Sequence, residues 1–212
     1  MSIVREHLDL GSAVLLDIGT GSGIMADEWS LHCAEIFSVD VVDQRTCEGT
    51  YRFQLIDDEH LPFPDGSFDL IISNQVLEHV WDQRLHVAEM HRVLKPGGAA
   101  YLSTPNKFAL IEPHYRLPFL AWFGDSFASF YLRRLRGLPW EVKLLSFRSL
   151  RRLLDPCFRI HDAIPDVMRD PMGFHQVTNP SIARWLRLVP SFVWSARLNP
   201  LLPSFMVVLR KR

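Results

Sequence analysis

Apolar and polar positions follow two different periods along the chain. Seven short runs are rich in apolar residues, as strands buried on both faces of a parallel sheet should be. We place these strands at residues 14–18, 36–40, 53–57, 68–73, 99–104, 158–163 and 205–209. Stretches with helical spacing lie between several of them, and this order is typical of α/β folds built from strand-helix-strand units.

Three stretches have the spacing of helices that would pack on this sheet. A short helix is predicted over residues 22–33, and a longer one starts near Trp81 and stops at Pro96 and the glycine pair after it. The residues of the longer helix that we expect to face the core are Leu85, Ala88, Met90 and Leu94. The third helix covers residues 146–154, and the connection over residues 41–50 is too short for a full helix.

The chain contains no glycine- or serine-rich linker, and 212 residues with 48% apolar side chains can build one complete core. We therefore expect a single domain over residues 1–212, in which residues 1–107 form the half that binds a cofactor. Residues 108–145 and 165–203 are rich in proline, aromatic residues and arginine. The first of these segments leaves the edge of the sheet where α/β proteins bind ligands, so we expect lid or substrate-binding insertions.

The segment VLLDIGTGSGI carries the strongest functional signal. The turn from the first predicted strand into a helix holds Gly19, Gly21 and Gly23 at alternate positions. Residues without Cβ atoms let a ligand lie against the backbone and against the amide groups at the helix start. The dinucleotide fingerprint requires a glycine three residues after its second glycine. Ile24 occupies that position here, so the pattern disfavours a nicotinamide oxidoreductase.

Acidic residues follow the next two predicted strands. Asp40 closes the second strand about 20 residues after the glycine loop, where a carboxylate could accept hydrogen bonds from ribose hydroxyls. Asp57 and Asp58 close the third strand, where an acid could accept a hydrogen bond from the exocyclic amine of adenine. Leu61 and Phe63 would supply apolar walls to the same pocket.

Two longer segments make a family resemblance specific. IDDEHLPFPDGSFDLIISNQVLEHV and RVLKPGGAAYLSTPN follow the glycine loop in order and at normal intervals. Together with the loop they resemble the class I methyltransferases that use S-adenosylmethionine, in particular the methyltransferase type 11-like family of quinone and glycan biosynthesis. The resemblance covers residues 14–106. It implies a Rossmann-like, seven-stranded, mostly parallel sheet with helices on both faces and an antiparallel last strand.

The resemblance also implies a role for each matching residue. S-adenosylmethionine is the implied cofactor, and no metal is expected. The cofactor-binding residues carried over are Asp17, Gly19, Thr20, Gly21 and Gly23 for the methionine moiety, Asp40 for the ribose, Asp57 and Asp58 for adenine, and Asn74 and Gln75 beside the sulfonium. The residues after Asn74 depart from the signature of enzymes that methylate base amines, so we expect no nucleic-acid partner.

Two clusters of acidic residues and histidines are candidates for the chemistry. Glu78 and His79 are expected at the start of the helix after the fourth strand, where a base with a pKa near neutrality would help transfer to a hydroxyl, and His79 is the first candidate for that base. This pair could equally be a structural cap. Glu112 and His114 lie where an acceptor should enter, and Arg116 could meet a phosphate. These residues could instead only anchor the lid.

Charge is distributed unevenly between the two halves of the chain. Residues 1–112 hold 7 Lys and Arg against 18 Asp and Glu, whereas residues 113–212 hold 16 against 6. An acidic half suits a cationic sulfonium ligand. A basic half that also carries Trp122 and Trp140 indicates a polyanionic or membrane-surface partner, although an ordinary exposed helix face explains the basic excess equally well.

The cysteines and the apolar runs indicate where in the cell the protein is expected. The three cysteines show no paired spacing, so neither a disulfide framework nor a zinc site is indicated. We find no run long enough to span a bilayer and no signal-peptide pattern in the first residues. We therefore expect a cytoplasmic protein, and both a peripheral membrane contact and a homodimer stay open.

The leading hypothesis is an enzyme that transfers a methyl group from S-adenosylmethionine to a small-molecule or lipid-linked saccharide acceptor, at oxygen. It draws on the segment EPHYRLPFL, which resembles methyltransferases found with surface-polysaccharide enzymes. The alternative among enzymes is C- or O-methylation of a quinone precursor or another aromatic metabolite. The alternative from another class is a noncatalytic nucleoside-binding module that keeps the fold.

Overall fold

One sheet of seven strands lies at the centre of the part of the chain that the computed structural model describes, which is residues 10–47, 49–170, 184, 186, 188–196 and 202–212. The strands in chain order are β1 (Val14–Ile18), β2 (Glu35–Asp40), β3 (Arg52–Leu55), β4 (Phe68–Asn74), β5 (Leu94–Pro105), β6 (Phe158–Asp162) and β7 (Ser204–Lys211). All seven predicted strands are confirmed, with ends that differ by a few residues.

The strand order is β3-β2-β1-β4-β5-β7-β6. Neighbouring strands from β1 to β5 pair in parallel, and β7 runs antiparallel to both β5 and β6. The register places Ile18 of β1 between Val39 of β2 and Ser73 of β4, so the carboxyl ends of these strands meet at one edge. The expected Rossmann-like, mostly parallel sheet with an antiparallel last strand is confirmed.

The helices whose bounds are described are α1 (Ile24–Ser30), α2 (Gln83–Val93), α3 (Asp125–Arg136), α4 (Phe147–Leu154) and α5 (Ile164–Arg169), with short 3-10 helices at Leu10–Ser12 and Ser191–Trp194. Asp82 caps α2 by accepting hydrogen bonds from the amides of Arg84 and Leu85. Ser146 caps α4 in the same way. The described residues between β2 and β3 contain no helix, as the short connection predicted.

Helices cover both faces of the sheet, which explains why the strands are continuous apolar runs. On one face Leu15 belongs to a buried cluster with Trp29 of α1. On the other face Leu16 shares a cluster with Met90 of α2 and Leu150 of α4. Because successive residues of a strand point to opposite faces, Leu15 and Leu16 are both fully buried on different sides.

The buried face of α2 differs from the prediction. Ala88 was expected to face the core but is exposed. The buried residues of the helix are His86, Val87, Glu89, Met90 and Val93. His86 belongs to the core because its Nε2 lies 3.1 Å from Ser73 Oγ, which satisfies both buried polar atoms. The prediction missed this face because it assigned only apolar residues to the core, whereas the polar His86 is buried there.

The segment between β5 and α4 contains α3, which the sequence pattern did not predict. The buried face of α3 consists only of Ala128 and Leu132, which pack in a small cluster with Leu117 and Leu120. So narrow an apolar stripe gives a weak periodic signal. Much of residues 165–203 lies outside the described residues, and the lid expected there stays a prediction. None of the helices in the described part is long and apolar enough to cross a bilayer.

Candidate active site

A cleft of about 930 Å³ opens at the edge where the carboxyl ends of β1, β2 and β4 meet. The expected site residues that line it are Gly19, Gly21, Asp40, Asp57, Asp58, Gln75 and His79. The expected residues that do not line it, within the described part of the chain, are Asp17, Thr20, Gly23, Asn74, Glu78 and His114. Open α/β sheets bind their ligands at this edge.

The glycine loop pairs its own amide groups, contrary to the expectation that they face a ligand. The amide of Gly19 donates to the carbonyl of Val39 at 2.9 Å. The amide of Gly21 donates to Asp40 Oδ2 at 2.8 Å, and that of Gly23 donates to a carbonyl within the loop. A ligand beside these three glycines therefore finds no unpaired N–H group on them, which favours a cationic group over an anion.

Two of the three glycines are required by packing within the protein. A Cβ atom at Gly19 would overlap Val76, and one at Gly23 would overlap the hydroxyl of Tyr51. Gly21 faces open space, and its φ of 54° lies in the left-handed region that favours glycine. Gly21 is thus the glycine beside which a ligand has room.

Asp17 stands in β1 directly before the loop, with only 4% of its surface exposed. Its Oδ2 is buried and has no hydrogen-bond partner. Burial raises the pKa of Asp17 to about 7, and the nearby charge of Asp40 adds to the rise. The side chains of Thr20 and Ser38 partly offset this rise. A buried carboxylate oxygen without a partner costs free energy, so a positive group of a ligand at this position would stabilise the ionised form.

Asp40 ends β2 and is fixed at the cleft wall by the backbone. Its Oδ2 accepts a hydrogen bond from the amide of Gly21, and its Oδ1 accepts one from the amide of Val41 at 2.7 Å. The amide of Val42 also donates to Oδ1, at 3.4 Å. A carboxylate offers about four acceptor positions, so these three bonds leave at least one for the donors of a ligand. A ribose hydroxyl could use it.

The residues after β3 form a further part of the cleft wall. Asp57 is exposed, and we find no hydrogen bond or ion pair that joins it to a described residue. Asp58 is engaged with His60, whose amide donates to Asp58 Oδ1 at 2.8 Å, and this contact lowers the pKa of Asp58. Leu61 lines the cleft as expected, but Phe63 does not, because its ring packs edge-on against aromatic rings of the core.

Asn74 and Gln75 take different positions at the end of β4. Gln75 lines the cleft, and its Nε2 donates to Ser103 Oγ at 2.7 Å. Its φ of 58° is uncommon for a residue with a side chain, and it turns the chain out of the strand. Asn74 points elsewhere, since its Nδ2 lies 3.7 Å from Met25 Sδ.

The three residues expected to be catalytic come together in one cluster. Glu78 and His79 lie in a turn after β4, and not at a helix start, because α2 begins only after its cap at Asp82. The rings of His79 and His114 are in edge-to-face contact, with centroids 5.2 Å apart. His79 also lines the cleft, so this contact joins the segment after β5 to the cleft.

Two buried glutamates flank His114. Its Nδ1 lies 2.7 Å from Glu112 Oε1, and its Nε2 lies 3.8 Å from Glu78 Oε1. The hydrogen bond to Glu112 raises the pKa of His114 above its ordinary value. Burial lowers the pKa of His79 and raises that of Glu78. Neutral His114 therefore keeps its proton on Nδ1, facing Glu112, and presents Nε2 as the basic nitrogen.

The same cluster has the donor set of a metal site. Glu78, His79 and His114 each offer one ligand atom, and these atoms lie within 4.8 Å of one another. Imidazole nitrogens with a carboxylate oxygen suit zinc or another divalent transition metal. The expectation that the protein uses no metal stays a prediction.

Sequence reasoning missed the part that Thr104 plays in this cluster. Its Oγ1 donates to Glu78 Oε2 at 2.9 Å, while Glu78 Oε1 is buried and has no hydrogen-bond partner. Thr104 stands near the end of β5, which the sheet order places beside β4. Only that order brings it next to Glu78, so no local sequence signal could have found it.

The sheet order, the antiparallel last strand and the cleft at the carboxyl ends of the strands define the class I methyltransferase fold. Residues 16–102 match the family model described as a methyltransferase domain. The match covers less than half of the chain, and over these residues it confirms the resemblance to the S-adenosylmethionine-dependent methyltransferases.

Known proteins agree with this assignment. A probable S-adenosylmethionine-dependent methyltransferase of Mycolicibacterium smegmatis is 36% identical over 98 residues, which are 44% of this chain and 38% of that protein. A ubiquinone biosynthesis O-methyltransferase of Azotobacter vinelandii is 27% identical over 144 residues, which are 60% of this chain and 62% of that protein. The chain thus spans less than two thirds of the length of these curated relatives.

A solved structure shows the same fold over the whole chain. The crystal structure of an S-adenosylmethionine dependent methyltransferase from Mesorhizobium loti superposes with a TM-score of 0.63 at 16% sequence identity. The superposition covers 100% of this chain and 96% of that one. At this identity the likeness shows the fold alone.

Proposed function

We propose that this chain binds S-adenosylmethionine in the cleft and transfers its methyl group to a hydroxyl oxygen of a small-molecule or lipid-linked acceptor. The observation that carries the proposal is Asp17 Oδ2, a buried carboxylate oxygen without a partner beside a loop whose glycine amides are already paired. The methionine moiety of the cofactor bears an ammonium group, which would supply the missing positive charge. The open space beside Gly21 gives that moiety room.

Other walls of the cleft support the nucleoside part of the same ligand. Asp40 keeps at least one acceptor position that suits a ribose hydroxyl, and Asp57 has a carboxylate free to accept from the exocyclic amine of adenine. Val41 and Leu61 line the cleft and offer apolar surface for the base. A volume of about 930 Å³ lies within the range of small-molecule sites.

When bound, the sulfonium supplies an activated methyl group, so the protein mainly has to align the acceptor oxygen and exclude water. A hydroxyl acceptor must also lose its proton. We propose that His114 Nε2 takes it and that Glu112, hydrogen-bonded to Nδ1, orients the ring and stabilises the protonated form. His79, which lines the cleft and contacts the His114 ring, would place the acceptor beside that nitrogen.

Two acceptor classes are consistent with this arrangement. We propose first a lipid-linked saccharide, as in glycan biosynthesis, because aromatic side chains of α3 are exposed beside the segment that holds His114. The second candidate is the phenolic hydroxyl of a quinone precursor, which the ubiquinone biosynthesis O-methyltransferase match favours. For either acceptor we propose a cytoplasmic enzyme without a nucleic-acid partner.

The experiment follows methyl transfer from labelled S-adenosylmethionine to saccharide-lipid and phenolic acceptors across a range of pH. Activity should rise as pH rises through the raised pKa of His114, because only the neutral imidazole accepts a proton. Glu112→Gln removes the cause of that raised pKa. The acidic limb of the plot of activity against pH should therefore move to lower pH, while the maximal rate falls. His114→Ala should lose about 100-fold in turnover with cofactor affinity unchanged.

A second acid-histidine pair, between β6 and α5, offers a matched control. His161 Nε2 lies 2.7 Å from Asp166 Oδ2, away from the cleft, so His161→Ala should keep full turnover. Equal turnover of His114→Ala and the unmodified protein would remove His114 from the reaction. Activity that chelators abolish and zinc restores would assign the cluster of Glu78, His79 and His114 to a metal instead. Cofactor binding with no transfer to any acceptor would favour a noncatalytic nucleoside-binding module.

A further inference from the structure

One face of α3 presents a row of aromatic side chains to solvent. Phe123, Phe127 and Phe130 have exposed fractions of 72%, 40% and 68%. They follow the spacing i, i+4 and i+7, so they share one side of the helix and of the residues just before it. The rings of Phe123 and Phe127 touch, with centroids 5.1 Å apart, and Phe127 contacts Tyr131 in turn. Nothing in the described part of the chain covers this row.

The last turn of the same helix is basic. Arg133, Arg134 and Arg136 are all exposed, and none of them forms an ion pair with a described residue. The single acidic residue of α3 is Asp125 at the opposite end, and its Oδ1 accepts a hydrogen bond from Trp140 Nε1. The three positive charges are therefore not neutralised within the helix.

We propose that the phenylalanine row and the basic last turn that follows it, together called the aromatic-arginine surface (Phe123, Phe127, Phe130, Arg133, Arg134 and Arg136), dock the protein onto membranes that contain anionic lipids. By helical spacing Arg134 continues the row, while the long side chains of Arg133 and Arg136 leave the helix end at other angles. Exposed phenylalanines need an apolar partner, and unpaired arginines need a negative one. The interface of an anionic bilayer supplies both together, since aromatic rings enter the boundary of the acyl chains while guanidinium groups meet the headgroups.

The docked face lies close to the proposed acceptor side of the protein. The opposite face of α3, through Ala128 and Leu132, packs on Leu117 and Leu120, which follow His114 closely in the chain. An acceptor anchored in the membrane would therefore approach the segment that holds His114 from the side of α3. The docking goes beyond the proposed function, because it holds whether or not methyl transfer occurs and is measured without cofactor or acceptor.

The test is sedimentation of the full chain with vesicles of phosphatidylcholine alone or of phosphatidylcholine mixed with phosphatidylglycerol. Only the mixed vesicles should bind strongly, and added salt should release the protein. The triple variant Arg133→Gln, Arg134→Gln, Arg136→Gln should bind about 100-fold more weakly, at roughly fivefold for each arginine. Phe123→Ser with Phe130→Ser should also lose binding on mixed vesicles, without loss of folding, because both side chains are already exposed.

Matched variants elsewhere on the surface separate this face from general charge and hydrophobicity. The apolar control is Leu31→Ser with Leu55→Ser, which removes side chains that are 77% and 55% exposed on other elements. The charge control replaces three exposed arginines by Gln, at Arg84, Arg148 and Arg159. Both controls should bind like the unmodified protein. The proposal would be overturned if the protein bound both vesicle types equally, or if the control variants lost as much binding as the variants of the surface. It would also be overturned if the protein bound no vesicles and formed a dimer that the phenylalanine variant dissociates.

Discussion

Replacing Asp17 by Asn tests whether the buried carboxylate is kept for a ligand at a cost in stability. The substitution preserves the shape of the side chain and removes its charge. In the folded protein the pKa of Asp17 is raised from 3.8 to about 7 by burial. A raised folded pKa means that ionisation destabilises the fold. The penalty is absent below about pH 4, grows as pH rises toward 7, and is complete above pH 7.

The size of the penalty follows from the same pKa. A rise of about three pH units corresponds to about 4 kcal/mol at pH 8, an upper value because relaxation around the charge reduces it. At pH 5 the penalty is only about 1.5 kcal/mol. The stability advantage of Asp17→Asn over the unmodified protein should thus grow by about 2.5 kcal/mol between pH 5 and pH 8.

The assay is urea unfolding of both proteins at matched pH, so that titrations common to the two chains, such as that of buried His86, cancel in the difference. Saturating S-adenosylmethionine should then reverse the order at pH 8, because the ligand ammonium complements the charge only in the unmodified protein. A variant that is less stable than the unmodified protein at pH 8, or a difference that does not depend on pH, would refute the reasoning. If the cofactor stabilised both proteins equally, Asp17 would not contribute to cofactor binding.

Two further substitutions test the loop and the strand end beside it. Asp40→Ala should weaken S-adenosylmethionine binding at least about tenfold in calorimetry, from micromolar affinity, because it removes the ribose acceptors and the partner of the Gly21 amide; unchanged affinity would place Asp40 outside the site. Gly23→Ala should destabilise the protein by roughly 2 kcal/mol in urea unfolding, because its Cβ would overlap Tyr51 and its φ of 81° is left-handed. If Gly23→Ala left the stability unchanged, the loop would be able to move and accommodate the Cβ atom without cost.

The sheet could be predicted closely because its strands are buried on both faces. A strand such as β1 needs apolar residues at every position, so Leu15 and Leu16 signal it without help from tertiary contacts. Helices that are buried on only one side are harder to predict from the sequence. The prediction of the buried face of α2 was wrong because His86 is buried through a hydrogen bond with Ser73. Helix α3 was not predicted because its buried face is so narrow.

The candidate site was predictable in its residues and less so in its contacts. Gly19, Gly21, Asp40 and Asp57 could be placed at the cleft because strand ends converge at one edge of a parallel sheet. The pairing of the loop amides could not, since the partner of the Gly21 amide is a side chain of another strand. The contact of His79 with His114 likewise depends on how the segment after β5 returns to the cleft.

Because the amides of Gly19 and Gly21 are already bonded to Val39 and Asp40, a ligand at this loop meets no free N–H group on these two glycines. Cofactors with a pyrophosphate rely on unpaired N–H groups at the start of a helix. In this loop such an anion would gain no hydrogen bond from those amides and would be repelled by Asp17 and Asp40. If the cofactor binds as proposed, this turn disfavours a phosphate through the paired amides of Gly19 and Gly21 and through two nearby carboxylates, with no bulky residue needed to block it.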